Sequence, residues 1–140
     1  MNNQSLPRRQ FLLGAAAATA VSLSTEAEPL PSNAHPALPK LRHSVFFWLK
    51  NPDSESDIAA LIAGLKTLAN IDSVKGIQIG VPASTEKRDV VDNSFQVSEM
   101  LLFDDVEGQN QYQVHPVHQK FVEECSHLWR KVVVYDSIAV

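Results

Sequence analysis

The sequence predicts an α+β fold whose strands and helices follow in the order β-α-β-β-α-β. Three observations carry that expectation. Leu41–Lys50 and Phe95–Phe103 alternate their side chains with the two-residue period of a strand. Ile58, Leu61, Ile62, Leu65, Leu68 and Ala69 recur at the spacing of an amphipathic helix. A second helical stretch, opened by Asp104-Asp105 and interrupted at Pro116, leads into a valine-rich strand at Trp129–Val140.

Residues 1–27 stand apart from that pattern. Pro7-Arg8-Arg9-Gln10-Phe11-Leu12 precedes an alanine-rich apolar run from Leu13 to Leu23. The run is shorter than the roughly 20 residues that span a bilayer. Paired arginines before such a run resemble a bacterial twin-arginine export signal, with cleavage expected after Ala27. That implies a protein delivered folded to the periplasm or outside the cell, touching the membrane only transiently through its signal. An uncleaved N-terminal anchor is the alternative. Residues 28–40 contain four prolines and no apolar period, and read as an extended tether carrying a solvated His35. The domain proper is expected over 41–140.

Composition excludes several classes. The net charge is −4 and no Lys/Arg cluster exists to displace counterions from a phosphate backbone, so nucleic acid is not an expected partner. Cys125 is the only cysteine. An intrachain disulfide is therefore impossible, C-x-x-C motifs are absent, and Cys125 itself reads as a small core residue. No cofactor is implied.

In Leu41–Lys50, Leu41, His43, Val45, Phe47 and Leu49 share one face, while Phe46 and Trp48 make the other apolar too. Such a strand needs cover on both sides. Helices supply one side; a second copy of the chain is expected to supply the other. His43, taken alone, is a half-buried histidine. Asn51-Pro52-Asp53 stops the strand, and Ser54-Glu55-Ser56-Asp57 offers a cap for the first helix. That helix runs to about Asn70, presents Leu61 and Leu65 inward with no aromatic residue, and is weakened by Gly64 by up to ~1 kcal/mol. Val74–Val81 is the second strand, closed by Pro82. Ala83–Asn93 is polar and charged, a long exposed connection without assigned chemistry.

In the third strand, Phe95, Val97, Glu99, Leu101 and Phe103 fall on one face. If that face is inward, Glu99 must find a partner or its pKa must rise through desolvation. The whole order is the ferredoxin-like split βαβ pattern with an antiparallel sheet. It sets the first and third strands side by side and both helical segments on one face. His43 and Glu99 then lie on neighbouring strands beneath the second helical segment.

That segment holds the densest chemistry in the chain, Tyr112-Gln113-Val114-His115-Pro116-Val117-His118. Pro116 lacks an N–H and biases His115 towards extended backbone, so the helix should break or kink here. A kink can turn these side chains into a cavity, where imidazole and phenol can exchange protons.

His43 within Leu-Arg-His-Ser-Val-Phe-Phe, the Tyr-x-x-His-Pro-x-His motif at 112–118, and Trp129 followed by valines and Tyr135-Asp136 together resemble the Dabb family, the stress-responsive dimeric α/β-barrel domains. The resemblance covers 41–140. It implies a homodimer whose two sheets meet in a barrel. Plant members include a polyketide cyclase that performs an aldol-type ring closure. By position, the tyrosine and distal histidine that act on its substrate correspond to Tyr112 and His118, and the histidine lining its cavity to His43.

Three functional readings follow. The first is an acid–base pocket acting on a small carbonyl or aromatic compound, with His118 as base, Tyr112 as acid or oxyanion donor, and His43 and Glu99 as orienting or tuning groups. The second is a non-catalytic homodimeric stress-response or small-ligand-binding module in which His115 and His118 fix the kink. The third is a metal site built from His115 and His118 with His43 or Glu99.

Overall fold

The computed structural model of the protein describes residues 37–140, so the expected leader and most of the tether lie outside the described residues. Four strands, β1 (Leu41–Leu49), β2 (Gly76–Gly80), β3 (Val97–Phe103) and β4 (Trp129–Ile138), form one antiparallel sheet in the order β2-β3-β1-β4. Helices α1 (Glu55–Lys66), α2 (Val106–Val114) and α3 (Pro116–Cys125) pack against one face of it. This is the expected ferredoxin-like α+β fold, with the second helical segment divided in two.

The helix boundaries follow from local hydrogen bonding. Ser54 Oγ accepts the Asp57 N–H at 3.2 Å, and Glu55 and Asp57 place negative charge at the N-terminal end of α1. Asp105 caps α2 by accepting the Gly108 N–H at 2.8 Å. The break between α2 and α3 is at His115, which is extended (φ −67°, ψ 138°), with Pro116 beginning α3 where its missing N–H costs nothing. His115 Nδ1 then accepts the Val117 N–H at 3.1 Å, so this imidazole serves as the cap of α3.

The core lies between sheet and helices. Leu49, Leu61, Leu65, Leu68, Val97, Leu101 and Phe103 are fully buried, and each such side chain contributes roughly 1.5–3 kcal/mol relative to exposure. Gly64 is part of this packing. A Cβ there would lie 2.5 Å from Cys125 Sγ and 3.2 Å from the Phe121 ring, so α1 and α3 approach as closely as they do because position 64 has no side chain. Gly64→Ala is therefore expected to cost about 1–2 kcal/mol in urea unfolding, overpacking outweighing the gain in helix propensity. In a Cys125→Ala background the same change should become neutral or stabilising. A cost that persists there would mean the sulfur is not the obstacle.

The other sheet face is partly covered by the chain itself. The third strand begins at Val97, two residues later than its alternation suggests, because Gln96 is held across β1: its N–H donates to the Phe47 carbonyl and its Oε1 accepts the Leu49 N–H, both at 2.9 Å. Phe95 consequently does not share the inward face of Val97. It packs edge-on against Phe46 and Trp48 on the outer face, ring centroids 5.0 and 6.5 Å apart. Trp48 Nε1 donates to Ser94 Oγ at 2.9 Å. Further along the face Tyr135 remains 64% exposed.

Candidate active site

Alternation along β1 and β3 carries His43 and Glu99 to the helix-covered face. Glu99 pairs with Val45 and His43 with Leu101, so the two polar residues are diagonal neighbours on adjacent strands. Both are buried, with 5% and 3% of their surface exposed. From above, α2 contributes Tyr112 and α3 contributes His118. Six residues apart, these two would point to different sides of an unbroken helix. The break at His115-Pro116 brings their rings together, with centroids 4.4 Å apart. Tyr112 also meets the His43 ring at 5.8 Å.

These four residues line one cavity of about 150 Å³. Its apolar wall is aromatic and aliphatic: Phe47 from β1, Phe121 from α3, and Trp129, Val132 and Val134 from β4. The first helix indeed supplies no aromatic ring to it. The rings come from elements the sequence pattern marks only as core. Phe47 and Phe121 pack on Trp129 with centroids 5.2 and 5.8 Å away. Val134 and Asp136 are exposed on the edge strand β4, which places the rim of the cavity there.

Each histidine in the cavity is anchored through Nδ1. His43 Nδ1–H donates to Asp136 Oδ1 at 2.6 Å, across the β1–β4 register that sets the two residues opposite one another. His118 Nδ1 lies 3.1 Å from the Gln113 carbonyl, which can only accept, so the proton sits on Nδ1. Nε2 is then the nitrogen of each ring that these bonds leave unengaged. Burial lowers the His118 pKa, the Gln113 carbonyl opposes that shift, and His43 adds to it. Burial raises the Tyr112 pKa, with the Glu99 charge adding to the rise. Glu99 itself is pushed up to about 8 by burial alone, and its Oε1 has no hydrogen-bond partner.

The structure thus brings together His43, Glu99, Tyr112 and His118, and leaves out His115, whose imidazole is occupied in capping α3. Among the described residues no group of three His, Cys, Asp or Glu side chains is placed to hold a metal ion. Cys125 is buried against Gly64 and Phe121 rather than in the cavity, and burial raises its thiol pKa. Sequence reasoning missed Asp136 and the Gln113 carbonyl. The first was within reach, since Val132, Val134 and Asp136 alternate together and β4 pairs with β1; the second depends on the helix break.

A four-stranded antiparallel sheet under three helices, with a polar pocket between them, defines a ferredoxin-like α+β domain. Residues 41–139 match the stress responsive A/B barrel domain, Dabb, and the chain belongs to that family. No curated protein matches the chain in sequence. Among solved structures it is similar to a dimeric ferredoxin-like protein of unknown function from Thermobifida fusca (18% identity, TM-score 0.58, covering 76% of this chain and 96% of that one). A Dabb family protein from Mesorhizobium loti shows the same fold (22% identity, TM-score 0.58, covering 71% and 96%). A hydroxynitrile lyase from Passiflora edulis is similar at 25% identity (TM-score 0.61, covering 73% and 95%).

Proposed function

We propose that the pocket is a general acid–base site that moves protons on a small carbonyl or aromatic compound. The observation that carries this reading is the anchoring of both cavity histidines at Nδ1, which leaves each Nε2 unengaged in a cavity that Tyr112 also lines. His118 takes a proton from a carbon or hydroxyl next to a carbonyl centre. Tyr112, whose raised pKa keeps it protonated, donates to the oxygen on which negative charge develops. His43 is oriented by Asp136 and completes the polar wall. The similar Passiflora protein, named a lyase of hydroxynitriles, supports an acid–base reaction at a small substrate in this fold.

Acetophenone in D2O is a direct probe. Its methyl protons should exchange for deuterium faster with the protein than with buffer, and Tyr112→Phe should slow that exchange about a hundredfold. Exchange at the background rate, with acetophenone demonstrably bound, would leave a binding module in place of an enzyme.

The protein is further proposed to act as a homodimer after export. Similar structures are described as dimeric, and the outer sheet face still exposes Tyr135. The Arg8-Arg9 pattern supports the periplasmic destination. Recovering the chain from the periplasm, sequencing its N-terminus and sedimenting it tests both; a cytoplasmic chain ends the export reading and a monomer the homodimer reading.

A further inference from the structure

One polar group in the cavity has no task in the proton transfer just described. Glu99 is 3% exposed, lies between Val45 of β1 and Ile79 of β2, and turns an unpartnered Oε1 to its surroundings. The titratable groups around it are His43 from β1, Tyr112 from α2 and His118 from α3; β2 offers the apolar Ile79, and on β4 Asp136 is bound to His43. Among the described residues no Lys or Arg lines the cavity. A lone carboxylate in such a site loses the hydration that stabilises its charge, so its proton is retained up to a pH of about 8. A protonated carboxyl is a hydrogen-bond donor. Glu99 and Tyr112 both line this cavity, so the two groups border the same space.

We propose that Glu99 is a neutral carboxylic acid which, with the Tyr112 hydroxyl, forms a two-donor hole for a single ligand oxygen, so that the pocket selects neutral carbonyl compounds over carboxylates and amines. The proposal rests on the acid–base reading of this pocket and adds a residue and a ligand class to it. A cavity of about 150 Å³ holds a ligand of about one aromatic ring. A carboxylate entering it would exchange water for an interior without a cationic side chain. An ammonium would need Glu99 ionised, which at neutral pH means first removing the proton that burial holds. A ketone or aldehyde meets neither cost. As its α-proton leaves, the charge that grows on its oxygen is met by two donors already in place.

Acetophenone labelled with 13C at the carbonyl tests the hole, its chemical shift reporting hydrogen bonds to the oxygen and its titration the affinity. With the wild-type protein the bound carbonyl should move downfield at pH 7, and affinity should fall about thirtyfold by pH 9.5 as Glu99 loses its proton. Glu99→Gln, whose amide donates at every pH, should keep the downfield shift and abolish the fall. Glu99→Leu should lose part of the shift and all of the pH dependence. The proposal is overturned by pH-independent wild-type binding, by a fall that persists in Glu99→Gln, or by benzylamine binding more tightly than acetophenone at pH 7. Acetophenone that binds with this pH dependence but exchanges no protons leaves the hole standing and removes only the acid–base function. Acetophenone that binds no form of the protein removes both.

Discussion

Replacing Glu99 by leucine is expected to stabilise the protein by on the order of 5 kcal/mol at pH 9 and by much less at pH 4. The sign follows from where the carboxyl titrates. Its ordinary pKa is 4.5 and burial raises it to about 8 in the folded chain. Below pH 4.5 the group is largely protonated in both states, and folding carries no ionisation cost on its account, only the smaller one of burying an unpartnered Oε1. Between 4.5 and 8 the native state binds a proton that the unfolded state has released, so stability falls as pH rises. Above 8 the full cost is present, at about 1.36 kcal/mol for each pH unit between the two values. Leucine has no charge to desolvate and no Oε1 to leave unpartnered. Urea midpoints for the two proteins at pH 4, 7 and 9 measure the difference. Equal stability at pH 9 would mean that Glu99 is solvated or paired in solution. A residue that lowers stability this much at a cavity wall is the kind of local conflict that functional sites retain.

Most of the fold was legible because its elements carry strong periods. The inward stripe of β1 and the Ile58–Leu65 stripe of α1 are written in single residues, and Pro116 marks the helix break outright. Glu99 was legible as a carboxylate on an apolar face, with its two outcomes, a partner or a raised pKa, stated by elementary electrostatics; the structure buries it with Oε1 unpartnered, the arrangement in which desolvation raises the pKa. Phe95 was not legible, because Gln96 pins the backbone across β1 and the alternation starts only after it. Gly64 looked like a defect in a helix. Its reason lies on α3, in a sulfur more than sixty residues away, and no local pattern records that distance.

The site divides along the same line. Which residue types can exchange protons is a property of the sequence, but which nitrogen of each histidine is free depends on partners that only the fold supplies. His115 and His118 look equivalent in Tyr-x-x-His-Pro-x-His. The break spends one on capping α3 through its Nδ1 and turns the other onto Tyr112. The aromatic wall shows the same dependence, since Phe47 of β1 meets Phe121 and Trp129 from more than seventy residues further along the chain.

His118→Gln is expected to slow acetophenone proton exchange by about 10²–10⁴-fold, the usual yield of a positioned general base. Glutamine can imitate the hydrogen bond to the Gln113 carbonyl, yet it has no lone pair basic enough to take the proton, so binding should change far less than rate. The pH profile separates this role from a structural one. His118 is half-buried and its pKa is lowered by desolvation, so the neutral base should form below the usual histidine range and the acid limb of the profile should sit beneath pH 6.5. If Glu99 supplies the second donor, the alkaline limb falls near pH 8, giving a bell whose two sides belong to different residues. Glu99→Gln should remove the alkaline side and leave the acid side where it was. A His118→Gln rate within threefold of wild type, or an acid limb that survives the substitution, would assign the base to His43. In that case the Asp136 carboxylate at 2.6 Å, rather than the helix break, would hold the reacting nitrogen in place.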